Sequence, residues 1–463
     1  MKSIYRLILG AVCLAAAPAM LAQQHTYSGY FLDGYTYRYQ MNPAMDNEDN
    51  FVAMPALGNL NIGFQGNLHL KDVLYNVDGR TSLFTNPNIS SSEVMKHIHD
   101  KNRIGTHNQI NILSGGWKAW GGYNTVTISA IANADAAVPG AFFELAKEGV
   151  QNKTYEIKHM SARAAAYGQI ALNHSRDIKQ VPGLRVGAAL KFLIGVGGID
   201  FQLDEADLTL GQDAWIARTR GNIYASIGGF RFDHKTYDPK GNSGMVPYEY
   251  VSGGNIDNFS INGFGMALDL GATYKWNDFK FSAALLDIGF IAWGKTQWAS
   301  TEGTQTINTD AYTFNVDGDA SNSFSNELDN MKDNLSKLYQ LRDMGEQGSH
   351  TNGLAATMNF GVDYEFPLYR KLHFGVLSST RIYGRYSSSH VRFSANVAPV
   401  KCFSADINLG AGTFGADFGW MLNFHTKGFN LFLGMDHTLG KLAKQGVPLS
   451  SNASVNFGMN FPF

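Results

Sequence analysis

This sequence is poor in charge, in cysteine and in long apolar runs. Only 16% of its residues are charged, against about 25% in soluble domains. The formal net charge of −2 gives no electrostatic reason to expect a nucleic-acid partner. Beyond residue 22 no uninterrupted apolar run approaches the length of about 18 residues that a membrane-spanning helix needs. The sequence therefore excludes a helical membrane protein and argues against an ordinary soluble domain.

Cysteine occurs only at Cys13 and Cys402. A positively charged start precedes the alanine-rich apolar stretch Leu7–Leu21, and a polar segment follows at once. This pattern predicts a secretory signal peptide over residues 1–22, cleaved after Ala22. Cys13 would be lost with it, so the mature chain could form no intramolecular disulfide.

Catalytic and metal-binding motifs are also missing. The sequence has no H-E-x-x-H, no G-x-S-x-G and no Cys/His metal spacing. His97 and His99 would point in different directions from a helix, and Asp317 and Asp319 lack the pattern of an EF-hand loop. We therefore predict no enzyme activity, no catalytic residues, no metal and no cofactor, although a dispersed Ser/His pair stays open.

What is present is glycine (50 residues), aromatics (13%) and strict alternation. The last twelve residues, NASVNFGMNFPF, place apolar side chains on one face and small or polar ones on the other. In a membrane only helices and closed barrels satisfy every backbone group. We interpret this stretch as the closing strand of a barrel. Its apolar face would contact lipid and serve as the signal for the barrel-assembly machinery: Phe457, Met459, Phe461 and Phe463.

Segments of about ten residues alternate in the same way along the chain, for example 184–196, 268–276, 354–366 and 414–424. Connection lengths support the interpretation. If the C-terminus faces the periplasm, the short links at 277–278, 367–370, 399–402 and 425–428 fall on that side. The long ones, 71–107, 134–159, 228–261, 291–352 and 438–451, then fall outside, as in outer-membrane barrels.

The predicted fold class is therefore all-β: a transmembrane antiparallel up-and-down β-barrel of about 14 strands (range 12–16). A liberal count gives sixteen strands, and removal of the weakest pair, in 199–227, leaves fourteen. We expect a signal peptide over 1–22, an N-terminal plug or hatch over 23–57 and the barrel over 58–463. The predicted location is the outer membrane of a Gram-negative bacterium, in contact with outer-membrane lipid, with both termini in the periplasm.

Three helices are predicted in the long external loops. Ser90 and Glu93 have capping-box spacing, Gly149 ends the stretch AFFELAKEG, and apolar residues recur at helical spacing within 326–345 behind Asn326. The apolar faces of these helices either pack over the barrel mouth or form a groove for an apolar ligand. The groove residues would be Val94, Met95, Ile98, Phe142, Phe143, Leu145, Leu335, Leu338 and Tyr339.

The mature N-terminus is unusually aromatic for a tail, in YSGYFLDGYTYRYQMNPAM. It would either fold back into the lumen as a plug or shield the periplasmic rim. YQMNPAM resembles the N-P-A motif near the N-terminus of the long-chain fatty-acid outer-membrane transporter superfamily. The whole layout is similar to an uncharacterised family of Bacteroidota outer-membrane proteins. The resemblance implies fourteen strands, an N-terminal hatch and helices in long external loops, and it makes Asn42, Pro43 and Ala44 the plug motif.

Two functions follow as hypotheses. The first is a transport channel for small hydrophobic molecules, such as fatty acids, other lipids or aromatic compounds, that leave sideways into the bilayer. The alternative is a structural or secretion-associated barrel whose external loops bind partner proteins. This alternative draws on a likeness to the barrel of type IX secretion. A general porin comes third.

Overall fold

The computed structural model describes residues 26–149, 152–210, 215–240, 245–308, 324–438 and 452–463. The predicted signal peptide, Asp317 and Asp319 lie outside these residues. Within them, the helices are all too short or too polar to cross a membrane.

Fourteen antiparallel strands form a closed barrel. The first strand consists of two pieces, and the others are continuous. Their bounds are β1 Phe51–Ala53 and Leu60–Gly66, β2 Lys101–Ala119, β3 Gly122–Pro139, β4 Met160–Asp177, β5 Leu184–Leu210, β6 Gly263–Trp276, β7 Phe279–Trp293, β8 Ala356–Glu365, β9 Leu372–Ile382, β10 Ser388–Val400, β11 Phe403–Gly412, β12 Gly415–Thr426, β13 Phe429–Met435 and β14 Ala453–Pro462.

The barrel closes where β14 meets β1. Pro462 lies opposite Phe51, and Phe457 lies opposite Leu60. The predicted fold class is confirmed. The barrel begins seven residues before the expected boundary at residue 58, because Phe51–Ala53 already pair with both β14 and β2.

Alternation along each strand separates a lipid-facing surface from a polar interior. On β6, Phe264 and Met266 are 68% and 46% exposed, whereas Asp269, which points inward from the same strand, is 2% exposed. In a soluble protein such a surface would be unfavourable, but in a bilayer it is the buried face. The same outward, exposed apolar position is taken on other strands by Phe192, Phe290, Phe360, Phe393, Ile407, Leu409 and Phe418.

The closing strand has the predicted two faces. Phe461 and Phe463 are 40% and 73% exposed, while Asn456 and Asn460 are buried in the interior. The alternation of this strand therefore reflects lipid on one side and the lumen on the other. Recognition of its apolar residues by the assembly machinery stays a prediction.

Connections are sorted by length, as predicted. The C-terminus shares one end of the barrel with the short links at 120–121, 277–278 and 427–428. At this end Trp120 and Trp276 are 78% and 56% exposed, as in an interfacial aromatic girdle. The long connections lie at the opposite end, where residues 413–414 form the exceptional short turn. The compartment that each end faces stays a prediction.

The weakest predicted strand pair, in 199–227, lies at the long-connection end of the barrel, where residues 199–203 still pair with β4. Residues 197–210 of β5 pair with the strand Trp215–Tyr237 beyond the point where β6 begins. We call this paired region beyond the start of β6 the outer sheet. Other strands extend the outer sheet or pair with the ends of barrel strands, and one small hairpin is separate from it. Their bounds are Leu74–Val77, Arg80–Leu83, Lys153–Glu156, Tyr248–Ser260, Thr296–Ser300, Gln305–Asn308, Arg342–Gln347 and His350–Gly353.

The helices lie in the long connections: α1 Leu70–Val73, α2 Ser91–Met95, α3 Gly140–Glu148 and α4 Phe324–Lys337. The Glu93 amide donates to Ser90 Oγ at 3.2 Å, which confirms the predicted cap of α2. The third predicted helix was too long and its cap at Asn326 was wrong. The helix spans Phe324–Lys337. It does not continue to residue 345, because Arg342–Gln347 pair as a strand with Thr296–Ser300.

Candidate functional site

Residues 26–50, hereafter the N-terminal segment, lie among the inward-facing side chains of the barrel. Its first turn is held by Asp436 at the end of β13. This carboxylate accepts the backbone N–H groups of Tyr27 and Ser28, at 2.8 and 2.6 Å, and the Ser28 hydroxyl at 2.6 Å. Hydrogen bonds to a charged acceptor are stronger than neutral ones. Asp436 therefore fixes where the segment begins.

Tyrosines fill the centre of this segment. Tyr30, Tyr35 and Tyr37 are at most 1% exposed. Their rings pack with each other and with Phe51 and Phe432 from the wall. The hydroxyls reach polar wall residues: Tyr30 to Ser282 at 3.0 Å, Tyr37 to Ser114 at 3.2 Å and Tyr39 to Thr127 at 2.9 Å. Tyrosine suits a polar lumen because its ring fills space while its hydroxyl bonds to the wall.

Asn42, Pro43 and Ala44 lie against the backbone of β5, β6 and β7. Asn42 Nδ2 donates to the carbonyl oxygens of Ala272 and Ala283 at 3.2 Å each, and the Ala44 amide donates to Asn42 Oδ1 at 3.0 Å. The paired residues Gly187 and Gly271 permit this approach. A Cβ at Gly271 would lie 2.1 Å from Asn42 Oδ1, and one at Gly187 would lie 2.1 Å from the Pro43 oxygen.

A network of amides joins the N-terminal segment to the closure between β14 and β1. Asn456 Nδ2 bonds to Asn61 and, at 2.9 Å, to Asn59. Three further bonds reach the N-terminal segment. Asn61 accepts one from Thr26, Asn59 donates one to Gln40, and Asn460 donates one to Thr36. The segment therefore contacts the first and last strands at once.

The first strand is interrupted directly beside these contacts. Residues 54–59 interrupt the regular pairing between the two pieces of β1, but backbone hydrogen bonds still join Met54 and Leu57 to Met459 and Ala56 and Asn59 to β2. Met54 and Leu57 are 36% and 40% exposed, whereas Asn59 is buried. On the lumen side, a Cβ at Gly58 would lie 2.9 Å from the Tyr37 hydroxyl. Regular strand pairing in the wall is therefore interrupted at the place where the N-terminal segment lies against its inner face.

A cavity of about 370 Å³, hereafter the upper cavity, lies towards the long connections. Charged pairs line it. Arg163 Nη2 contacts Asp200 at 2.5 Å, and Arg381 contacts Asp135 at 2.9 Å in a smaller pocket that continues the cavity and is counted with it hereafter. The Tyr383 ring lies beside both guanidinium groups, with centroid distances of 5.2 Å to Arg163 and 4.8 Å to Arg381, which is cation–π geometry.

Residues 383–387, which connect β9 to β10, fold into the lumen above this cavity. Arg103 of β2 donates to the Ser387 carbonyl oxygen at 2.5 Å. Arg385 reaches Asp204 of β5 at 3.7 Å, and Tyr386 is only 8% exposed. This inward turn narrows the barrel from the long-connection end, while the N-terminal segment fills it from the other.

A second cavity of about 390 Å³, the lower cavity, lies between the N-terminal segment and the short-turn end. Charged residues of both signs line it, among them Arg38 and Asp33 of the segment and Lys280, Asp363 and His373 of the wall. Upper and lower cavities therefore lie on opposite sides of the N-terminal segment, and the arrangement is that of an occluded passage.

The nine predicted groove residues fall into two separate places. Six lie on or beside α2 and α3, which contact each other through Ser91 and Glu148 at 2.5 Å. There Val94 and Phe143 are 0% and 4% exposed, so packing accounts for their apolar character. The other three lie at the end of α4: Leu335 is in its last turn and Leu338 and Tyr339 follow it, where Thr219 bonds to the Leu338 carbonyl oxygen at 2.6 Å. None of the nine lines the upper or lower cavity.

The outer sheet covers α4 through tyrosines. Tyr237 donates to Asp333 at 2.9 Å, and Tyr248 contacts Ser336 at 2.7 Å. Burial, followed by the contact with the Asp333 carboxylate, raises the pKa of Tyr237 to about 12. This tyrosine therefore stays a hydrogen-bond donor throughout the physiological pH range.

Sequence reasoning missed the residues that line the upper cavity. A signal for them existed, because Arg163, Asp135 and Arg381 all lie on otherwise alternating strands, at positions that must face inward. A similar inward position on β5 holds Lys191, which contacts Asp269 and Asp287 at 2.7 and 2.6 Å. Within the described residues no group of three or more His, Cys, Asp or Glu side chains is placed to hold a metal ion.

A model of a protein family described as "Family of unknown function (DUF5723)" matches residues 43–436. No curated protein matches. Similar solved structures include the Pseudomonas putida toluene transporter TodX, with a TM-score of 0.39, 7% identity and coverage of 96% of this chain and 94% of that chain. The Ralstonia pickettii toluene transporter TbuX has a TM-score of 0.40 and 8% identity, with coverage of 96% of this chain and 96% of that chain. A Pseudomonas aeruginosa FadL homologue has a TM-score of 0.36 and 8% identity, with coverage of 96% of this chain and 98% of that chain.

The strand topology and the lipid-facing band make this chain an outer-membrane β-barrel. At 7–8% identity the substrate of a neighbour does not transfer, so function must come from the chain's own residues. The predicted absence of enzyme activity stays a prediction.

Proposed function

The chain belongs to the DUF5723 family, and we propose that it is a channel that carries small, largely apolar molecules across the outer membrane, with the N-terminal segment as its plug. The observation that carries the proposal is the position of this segment. Its tyrosine cluster separates two cavities of about 370 and 390 Å³ inside a closed barrel. A barrel with its passage filled in this way conducts only when the filling moves.

The interruption of β1 supports a sideways exit. Tyr37 lies behind the backbone at 54–59, and the backbone hydrogen bonds of this stretch to Met459 and to β2 would have to open for a molecule to pass. An apolar molecule that left through this gap would avoid a water-filled pore, because the exposed side chains at the gap are Met54 and Leu57. In this proposal the plug motif Asn42–Ala44 and the Asp436 contact set how far the segment moves.

A reversible crosslink between plug and wall tests the proposal. A Cβ at Gly419 would lie 2.8 Å from Ser28 Oγ, so the pair Ser28→Cys and Gly419→Cys suits a disulfide. In a Cys402→Ser background, oxidation should abolish uptake of radiolabelled oleate, toluene or 1-octanol by cells that carry the barrel. Reduction should restore it.

Each single-cysteine variant is the matched control and should respond to neither reagent. Uptake that continues unchanged through the oxidised barrel would contradict the plug. Mass spectrometry of molecules extracted with the purified protein, against an unrelated barrel, would independently identify the class of ligand.

One observation favours the second function, a barrel that binds partner proteins. On the outer hairpin, Ile256, Phe259 and Ile261 are 47%, 57% and 57% exposed, and clustered exposed apolar residues mark interaction surfaces. A photocrosslinker at Phe259 that captures one stoichiometric protein in intact cells would favour this function. Crosslinks to lipid alone would remove the support.

A further inference from the structure

The upper cavity has an apolar wall and a polar wall. Apolar side chains form the first: Tyr167, Ile291, Trp293 and Leu354 line the smaller pocket of the cavity, and the buried side chains of Ile131 and Leu193 pack behind them. The second consists of Arg163, Arg381 and Tyr383 with their partners. Leu354, Arg163 and Tyr383 line both the upper cavity and the smaller pocket that continues it towards Trp293. A molecule in this space would contact both walls.

Every charge of these two spaces has a partner of opposite sign. The lining residues include three arginines and three aspartates. Arg163 pairs with Asp200, and Arg381 pairs with Asp135. Asp287 pairs with Lys191, and Arg385 reaches Asp204. Since an anionic ligand would have to displace one of these carboxylates, the site favours a neutral ligand.

Among the lining groups that lack a hydrogen-bond partner, which also include Arg381 Nε and the hydroxyls of Ser161 and Tyr386, the Trp293 indole lies in the apolar wall. Trp293 is 1% exposed, and its indole Nε1 makes no hydrogen bond. Its ring is fixed against the backbone, because Cβ atoms at Gly195 and Gly263 would lie 2.5 and 2.7 Å from it. A buried indole N–H is normally bonded, and it can only donate. The missing partner is therefore an acceptor.

We infer that the upper cavity recognises a neutral amphiphile, with its hydroxyl or carbonyl oxygen bound by Trp293 Nε1 and the Arg163–Tyr383–Arg381 wall and its apolar body on Ile291 and Leu354. The inference rests on the proposed channel function and specifies its substrate class. Plain hydrocarbons leave the indole N–H unsatisfied, and carboxylates disturb the balanced ion pairs. A neutral polar head satisfies both walls.

Three probes of equal chain length separate these classes: n-octane, 1-octanol and octanoate. Their binding to the full barrel in lipid nanodiscs would be measured with radiolabelled probes by equilibrium dialysis against empty nanodiscs. We expect 1-octanol to bind about tenfold more tightly than the other two, the effect of one satisfied hydrogen bond. Trp293→Phe removes the donor together with part of the ring and should abolish the advantage of 1-octanol over n-octane, because neither probe can then receive a hydrogen bond from this position.

The matched control is Trp298→Phe, because Trp298 Nε1 already bonds to Asn222 at 3.2 Å in the outer sheet. It should change none of the three affinities. Heat-modifiable mobility in gels would establish that both variants fold.

Outcomes separate this inference from the proposed function. Tightest binding of octanoate, or an equal affinity for n-octane and 1-octanol, would overturn the inference and leave the channel intact. Unchanged 1-octanol binding by Trp293→Phe would also overturn it, since the indole N–H would then bond to water instead. If none of the probes binds the barrel or enters cells through it, the channel function itself fails.

Discussion

The two halves of the lumen are built from different chemistry. Towards the short-turn end, the N-terminal segment contributes tyrosine rings that fill the space, and their hydroxyls attach to the wall by neutral hydrogen bonds. Towards the long connections, paired charges bridge the wall and a cavity remains beside them. Neutral bonds can be exchanged one at a time, whereas a buried ion pair resists separation. In the proposed channel the lower half would therefore move and the upper half would select.

The largest effect is expected in the upper half. Arg381→Leu leaves the Asp135 carboxylate, 7% exposed, without its main partner. Loss of one member of a buried pair costs about 3–5 kcal/mol, and urea unfolding followed by gel mobility would measure it.

The double variant Arg381→Leu with Asp135→Asn is the control and should recover most of that loss, because no unpaired charge remains. Equal destabilisation of the single and double variants would show that packing, not charge, holds the upper half together.

In the lower half, Asp436→Ala removes the acceptor of two backbone N–H groups and the Ser28 hydroxyl. The expected cost is about 1.5–3 kcal/mol, confined to the N-terminal segment. Limited proteolysis should then cut near Tyr30 much faster than in the parent while the barrel stays folded. Asp329→Asn, on the exposed side of α4, should leave the cleavage rate unchanged.

Gly271→Ala tests the docking of the plug motif. The added Cβ would lie 2.1 Å from Asn42 Oδ1, and overpacking of this kind costs about 1–3 kcal/mol. The segment should shift and the barrel should show channel openings in planar bilayers. Gly348→Ala, with no atom within 4 Å of its Cβ, is the control. A closed, silent Gly271→Ala barrel would mean that the motif does not hold the plug.

The smallest effect is expected for single tyrosine hydroxyls. Tyr39→Phe and Thr127→Ala each remove one hydrogen bond of 2.9 Å and should cost about 1 kcal/mol in a double-mutant cycle. Costs that simply add would show that the two hydroxyls do not stabilise each other, and the lower half would then rest on ring packing alone.

Strand number and the two faces of each strand could be predicted from sequence because lipid and lumen impose opposite requirements on successive residues. Phe264 and Asp269 on β6 show how strong that contrast is. The extent of α4 could not be predicted in this way. Leu341 and Met344 continue the helical period, but pairing of Arg342–Gln347 with Thr296–Ser300 overrides it.

The upper cavity was beyond prediction for a different reason. Asp135, Arg163 and Arg381 lie on β3, β4 and β9, and their pairing depends on which strands face each other across the lumen. Alternation identifies each as inward but carries no information about its partner. The predicted groove failed to predict cavity-lining residues because amphipathic loop helices bury their apolar faces against neighbouring loops, as Phe143 does against Phe84.

The amide network at the meeting of β14 and β1 has a consequence for the order of folding. Asn456 and Asn460 of the last strand bond to Asn61 and Thr36, and these in turn involve Thr26 and the N-terminal segment. If the barrel closed before the N-terminal segment entered it, amides at the junction of β14 and β1 would be buried without hydrogen-bond partners. We therefore expect the N-terminal segment to be in place before the last strand completes the ring.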